Sequence, residues 1–287
     1  MSFSVLFEAQ PLPISLFSLE QAWGVVTRNG LLPELSNSFL FCASQKPDLI
    51  QSEFSGVLAA HYGTEKFGEL AFEEKQFALS LSGEIETRIF RGPVAEFGNQ
   101  TFTSRPYRPG SLHLEGLLQL INRPGWTVDE IVAWARPWLK ELERHASLGR
   151  PREVEGCLFE TFLPSNFVDA IPQNLALSPT DGAANFFDLD LHFHTDLPLE
   201  FVVFRGLFVV IHRVRSCAKP ANGTPTHVGE VVIRCMESLG FAVSQAKLQS
   251  FLKLFNSFHN LNAGLPLGLN NPLTREISTR QLPVRPI

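Results

Sequence analysis

Asp188-Leu189-Asp190-Leu191-His192-Phe193-His194-Thr195-Asp196, taken with Asp169-Ala170-Ile171-Pro172-Gln173-Asn174 a short way upstream, is the stretch on which the reading of this chain turns. From Asp188 to His194 a carboxylate or an imidazole stands at every second position, with Leu189, Leu191 and Phe193 between them. This is the period-2 pattern of a strand with one apolar face. Its other face would carry two carboxylates and two imidazoles. Burying such a face without a cation, a partner charge or water is costly, so it is either solvated or built for a ligand.

The composition around it is that of an ordinary soluble globular protein: 287 residues, 44% hydrophobic and 18% charged, enough for one large domain or two modest ones. The net charge is -5, the pI is near 5.9, and the basic residues are scattered, so nucleic acid is not an expected partner. Four widely spaced cysteines form no C-x-x-C pair, which argues against a zinc site or a disulfide framework. The first ten residues lack a basic, then apolar leader pattern. The longest apolar run, Phe201 to Ile211, contains Arg205 and falls short of the roughly 20 residues of a membrane span, so a cytoplasmic protein without a transmembrane segment is expected.

Working along the chain, the spacing of Leu16, Leu19, Ala22, Trp23 and Val26 predicts a helix that Asn29-Gly30 ends. Ser38 to Ala43 reads as a buried strand, and Phe54 to Tyr62 as a helix. Phe77 to Phe90 alternates apolar and polar around Ser82-Gly83, a β-hairpin, with a further short strand at Thr101 to Thr103. Helices then dominate: Ser111 to Ile121, and Val128 to about Arg144 behind the capping box Thr127-x-x-Glu130, with Pro137 bending or interrupting the second. Trp126, Trp134 and Trp138 read as core anchors rather than a binding box. Asn174 to Leu177 and Asn185 to Asp188 flank Ser178-Pro179-Thr180-Asp181-Gly182, a compact hairpin with acidic residues at its ends. Helices over Leu199 to Val214, His227 to Leu239 and Ser244 to Asn256 precede a Pro- and Asn-rich tail that wraps the body or frays. The expected organisation is an N-terminal helix and strand segment over 1–70, a small β lobe over 71–110, a helical lobe holding the hairpin over 111–259, and an extended tail over 260–287.

A small β region, then helices, then an Asp five positions before an Asn, a hairpin, and a second Asp resembles the catalytic and metal loops of the protein-kinase-like fold, including its aminoglycoside- and choline-kinase branch. The fold class this implies is α+β, with a small antiparallel β lobe followed by a mainly helical lobe. The resemblance makes Asp169 the catalytic base, Asn174 and Asp188 ligands of Mg²⁺, and Asp190 the residue replacing the glycine of D-F-G and a further possible ligand. Such spacing suits phosphoryl transfer, which requires a base for the acceptor hydroxyl and oxygen ligands for the metal within a few ångström of one another.

The departures from the pattern are specific. Phe167 stands where the loop's histidine would stand, and Gly83 alone replaces a glycine-rich phosphate loop. No lysine sits on the second strand of the first hairpin, so Arg88 or Arg91 would have to meet the ATP phosphates, and no helix offers an obvious glutamate partner. Arg and Lys are not equivalent as phosphate ligands, so a pseudokinase is the alternative to a module using ATP and Mg²⁺.

A narrower resemblance covers most of the chain. Asn37-Ser38-Phe39-Leu40, the segment Leu118 to Leu139 with Asn122-Arg123-Pro124-Gly125-Trp126, the Asp169-to-Asn174 loop, Phe187-Asp188-Leu189-Asp190 and Leu197 to Leu207 are similar to the region that follows the methyltransferase domain in bacterial SAM-dependent methyltransferases of surface-polysaccharide clusters. Some of those, such as the chain-terminating O-antigen methyltransferase-kinases, carry a kinase domain there. Gly24, Gly30 and Gly56 are isolated, and no glycine-rich SAM-cradling turn is found. The resemblance therefore implies a free-standing or truncated C-terminal module, with a sugar or glycan as substrate and a methyltransferase or glycosyltransferase as partner.

Three other readings stand beside this one: a non-catalytic module that binds such a partner; a metal-dependent enzyme in which His192 and His194, with nearby carboxylates, hold Zn²⁺, Fe²⁺ or Mn²⁺; and a purely structural stretch of solvated histidines and turn-capping aspartates. Arg205, inside an apolar helix, is expected to form a structural ion pair with Asp188, Asp190 or Glu200. His145, His212, His227 and His259 carry no assignable role.

Overall fold

The computed structural model describes residues 19–31, 45, 56–62, 74–90, 102–107, 109–262 and 279–285. The strand expected over Ser38 to Ala43, Arg91 and most of the tail lie outside the described residues. The architecture is α+β, built of antiparallel sheets and helices, and the chain divides into two compact units. One comprises Gly30–Arg108 with Met1–Pro11 and Asn260–Pro266; the other comprises Leu12–Asn29, Pro109–His259 and Leu267–Ile287.

The first unit holds an antiparallel sheet of β1 (Val57–Tyr62), β2 (Glu74–Leu79), β3 (Ile85–Phe90) and β4 (Phe102–Pro106), in that order. The expected hairpin is β2–β3, and Gly83 at φ +80° supplies the left-handed residue its turn requires. Ala78 and Ile89 are its buried residues. Residues 57–62 form a strand and not the expected helix. Two adjacent alanines favour a helix locally, but this segment follows Gly56 at φ +73° and pairs along β2 from Val57↔Ala78 to Tyr62↔Glu74. Ladder hydrogen bonds supplied by a neighbouring strand outweigh a weak local preference.

In the second unit α1 (Leu19–Arg28) ends at Asn29 and Gly30, as its sequence predicts. After β5 (Ser111–Leu112) come α2 (His113–Ile121) and α3 (Val128–His145). Both halves of the capping box form: Thr127 Oγ1 accepts from the Glu130 amide at 3.3 Å, and Glu130 Oε2 accepts from the Thr127 amide at 2.9 Å. The helix runs through Pro137 without a break. A proline inside a helix costs about 3 kcal/mol; here the burial of Trp138, Leu139 and Leu142 on the following turn offsets it.

Next is an antiparallel hairpin, β6 (Ser147–Val154) and β7 (Cys157–Leu163), that no alternation of apolar and polar residues predicts. Its loop is Glu155-Gly156, at φ +50° and +81°, a two-residue turn with both residues left-handed. Two 3₁₀ turns, Ser165–Asp169 and Pro172–Asn174, lead into the hairpin of β8 (Leu175–Leu177) and β9 (Ala184–Phe186), which the Asp181-Gly182 turn had indicated. After β10 (Leu197–Pro198) come α4 (Leu199–His212), α5 (Val228–Ser238) and α6 (Gln245–Asn262).

Helix α4 is apolar nearly all round and correspondingly buried nearly all round, which is what such a helix requires in water. Phe204 and Phe208 on α4 meet Phe251 and Phe255 on α6 at ring separations of 5.2 and 5.5 Å. Trp126 and Trp138 are fully buried, as expected of core anchors. A Cβ added at Gly206 would lie 2.5 Å from the Trp138 ring, so only glycine lets α4 approach α3 this closely. The described end of the tail, 279–285, is bound rather than frayed: Leu282 donates to Thr226 O at 2.8 Å, Cys217 to Pro283 O at 3.1 Å, and Arg285 to Cys217 O at 2.9 Å.

His113 opens α2 buried, its ring stacked on Trp134 at 4.8 Å and its Nε2 without a hydrogen-bond partner. Burial pushes its pKa from the ordinary 6.5 down to about 4. Between those values the unfolded chain binds a proton that the folded one refuses, so stability falls as pH drops from 6.5 to 4, and this contribution is flat below 4. The loss is about 3 kcal/mol at 1.36 kcal/mol per pKa unit. Urea unfolding at pH 7 and pH 4, compared with His113→Phe, which keeps a stacking ring without the titration, isolates it. Equal losses in both proteins would refute the assignment.

Candidate functional site

The two 3₁₀ turns hold Asp169 and Asn174, and two helices hold the turns. Trp138 on α3 donates its indole N–H to Ala170 O at 2.8 Å. The Trp138 ring and Pro172 Cδ crowd the same glycine, Gly206 on α4. Arg205, one residue earlier on α4, reaches Val168 O with Nη1 at 2.5 Å and Asp169 Oδ1 with Nη2 at 2.9 Å. Its guanidinium also lies 4.6 Å from the centre of the Phe258 ring on α6.

The expected structural ion pair of Arg205 therefore exists, with a different partner. Glu200 is five residues away on the helix, off the face of Arg205, and pairs instead with Lys247 at 2.6 Å. The partner is Asp169, and both side chains are largely buried, at 8% and 16% exposure. The Coulomb gain of an ion pair so enclosed is largely offset by desolvation.

Asn174 is buried and donates Nδ2 to Asp169 O at 2.9 Å and to Asp169 Oδ2 at 3.0 Å. Both acceptors are oxygens, so the amide must turn its nitrogen to them. Its Oδ1 is thereby left uncommitted to Asp169. The β8–β9 register, Leu175↔Phe186, is extended by the Phe187 amide donating to Asn174 O at 3.0 Å. Asp188 is thus the next residue along from the one paired with Asn174. Beyond it, the Phe193 amide donates to Ser165 O at 3.1 Å, so the Asp188-to-Leu191 run is tethered at one end to the Asn174 turn and at the other to the Asp169 turn.

That run is irregular, not the strand its alternation suggested. Asp188 has φ +56°, in the left-handed region, which reverses the chain after β9 and breaks any ladder. Phe193 is buried, while His192 and His194 are exposed, His194 resting on the Phe193 ring at 4.0 Å. Among the described residues no group of three or more His, Cys, Asp and Glu is close enough to hold a metal, and a zinc or iron enzyme built on His192 and His194 would require about three protein ligands. Mg²⁺ differs: it takes one or two carboxylates and completes its shell with water and phosphate oxygens. Asn174 Oδ1, Asp188 and Asp190 are all hard oxygen donors, and in that respect they fit it.

Arg88, on β3 in the other unit, donates Nε to Glu86 Oε1 at 2.7 Å, and its guanidinium lies 5.3 Å from the Phe102 ring centre. Ser104 donates to the other oxygen of Glu86 at 2.5 Å, and with Arg88 it holds that carboxyl below its ordinary pKa. Glu86 and Arg88 meet because residues i and i+2 share a strand face. Arg91 lies outside the described residues.

An open cleft of about 260 Å³ lies between the β6–β7 hairpin and Asp196, with Arg150, Arg152, Phe162 and Pro164 among its walls. It falls short of the roughly 300–1,000 Å³ of enclosing ligand pockets. Arg152 is already engaged there, stacked 3.6 Å from the Phe162 ring centre and 3.6 Å from Asp196. Cys157, Cys217 and Cys235 are free, and burial pushes the thiols of Cys217 and Cys235 up to about 11 and 12, so neither is a nucleophile at neutral pH. No helix among the described residues is long and apolar enough to cross a membrane. Set against known proteins, the chain matches no family, no curated protein and no solved structure.

Proposed function

We propose that this chain is a protein-kinase-like phosphotransferase module that acts on a hydroxyl of a sugar or glycan end in bacterial surface-polysaccharide modification, in concert with a methyltransferase or glycosyltransferase. One observation carries the reading: the Asn174 amide nitrogen is spent on Asp169, while Phe187 bonds to Asn174 and Asp188 follows it directly in the chain. A candidate base and three candidate oxygen ligands thereby fall within one tethered loop system. The left-handed φ of Asp188 adds to it, since non-glycine residues in that region cluster at functional sites.

In this reading Asp169 accepts the proton of the acceptor hydroxyl as that oxygen bonds to phosphorus and the bond to ADP breaks. Arg205 and Asn174 keep the carboxylate from turning away. Asn174 Oδ1, Asp188 and Asp190 would hold Mg²⁺, which neutralises charge on the phosphates when bound. A second reading, a degenerate module that binds its partner protein without catalysis, is favoured by the engagement of both Asp169 oxygens and of Arg88.

Calorimetry and thermal unfolding with ATP and Mg²⁺ separate the two. Ligand at a hundred times Kd adds about 2.7 kcal/mol, a rise of roughly 5–10 °C in Tm for a unit of this size. The rise is expected in the native protein and absent from Asp188→Asn. No binding heat, and identical melting of both proteins with and without ATP and Mg²⁺, would leave the non-catalytic reading.

A further inference from the structure

Arg205 is an expensive residue to place on α4. Phe201, Val202, Phe204, Leu207 and Phe208 surround it on the same helix, all buried, and its Nε is buried without a hydrogen-bond partner. If the ion pair served stability alone, apolar side chains of similar volume in place of both Arg205 and Asp169 would often do as well. What only a guanidinium supplies is a planar fork. One arm takes the carbonyl of Val168 and the other takes a carboxylate oxygen of Asp169, so two successive residues are held at once. The back of the fork is closed by the Phe258 ring.

We infer that Arg205 is a positioning residue: it sets the Asp169 carboxylate and, through the bond from Asn174 Nδ2 to Asp169 Oδ2, the orientation of the Asn174 amide. The inference rests on the phosphotransferase reading for its chemistry, and on geometry alone for the coupling from Arg205 through Asp169 to Asn174. Asp169 Oδ1 belongs to Arg205 and Oδ2 to Asn174, so a rotation of the carboxylate breaks both contacts together. Lysine retains the charge but delivers it from a point, and can meet the Val168 carbonyl or the Asp169 carboxylate but not both in the same geometry. Because Asn174 Oδ1 is a proposed Mg²⁺ ligand, the coupling reaches both turnover and the binding of ATP with Mg²⁺.

The test uses the full chain with Arg205→Lys and Arg205→Met. Three quantities are read: affinity for ATP with Mg²⁺ by calorimetry, ADP formation with water as acceptor, and the ¹H–¹⁵N signal of the Asn174 side-chain amide, assigned through Asn174→Gln. The expected result for Arg205→Lys is a shifted Asn174 signal, a kcat lowered by roughly 100-fold, the scale of an ångström-sized misplacement, and a weakened affinity for ATP with Mg²⁺. Arg205→Met is expected to behave similarly or more severely; where it does not fold, Arg205→Lys carries the test. An unmoved Asn174 signal and a native kcat per folded molecule, with only Tm lowered, would overturn the inference. If the native protein neither binds ATP nor forms ADP, it is the phosphotransferase reading that fails, and the Asn174 signal alone then decides: shifted, the coupling stands; unmoved, it falls.

Discussion

Replacing Trp138 with alanine is expected to cost ~3–5 kcal/mol of folding stability, the range for deleting a fully buried tryptophan. The side chain has no exposed surface, it fills the space that Gly206 leaves open, and its N–H satisfies the carbonyl of Ala170. The alanine variant leaves a cavity between α3 and α4, and it orphans a buried acceptor in the turn between Asp169 and Asn174. The second consequence makes the substitution more than a core lesion, since any response to ATP and Mg²⁺ should vanish with it. Trp138→Phe keeps most of the volume and loses only the hydrogen bond, so it is expected to cost about 1–2 kcal/mol more than the volume change alone would. Urea unfolding followed by circular dichroism measures both. A loss below 1 kcal/mol for the alanine variant would mean that the loop is anchored elsewhere.

The second large effect is expected at Asp169. Asp169→Ala should destabilise the fold by about 3 kcal/mol, because it strands the buried guanidinium of Arg205 and removes an acceptor from Asn174. This runs against the usual behaviour of a carboxylate serving chemistry alone, whose removal relieves strain as often as it weakens the fold. Asp169→Asn, which retains one acceptor oxygen, should fall between alanine and native. The decisive comparison is the pair Asp169→Ala with Arg205→Met. With both charges gone no unpaired charge remains and only the Val168 carbonyl loses its donor, so the double variant should recover much of the loss and be more stable than the sum of the single costs predicts. Additive losses in urea unfolding would show that the two residues do not depend on each other, and the account of the loop given above would be wrong.

What could be read from residues alone follows the range of the forces involved. The capping box at Thr127 and Glu130, the αL ending at Asn29-Gly30, the hairpin turns at Gly83 and Asp181-Gly182, and the starts of α4, α5 and α6 are local matters, decided by side-chain-to-backbone bonds or by the spacing of apolar residues. The β6–β7 hairpin escaped because the polar Arg150-Pro151-Arg152-Glu153 interrupts any alternation, and only the Glu155-Gly156 turn hinted at it. His113 escaped for a different reason. Nothing in the letters beside it marks it as buried, since its burial comes from the ring of Trp134, 21 residues away.

The candidate site divides along the same line. Its residue types and spacing, Asp169 to Asn174, a hairpin, then Asp188, are legible without coordinates, because a hairpin returns its two ends to one place whatever surrounds it. The tertiary structure alone decided that Asp188-to-Leu191 is an irregular tether, because that follows from bonds to Asn174 and Ser165, and that 279–285 is held against Cys217 and Thr226. It also chose Asp169, and not Glu200 or Asp188, as the partner of Arg205. Burial forces a guanidinium to find a counter-charge, but which carboxylate comes within 3 Å of it depends on how α4 crosses α3, and no local pattern in the chain encodes that crossing.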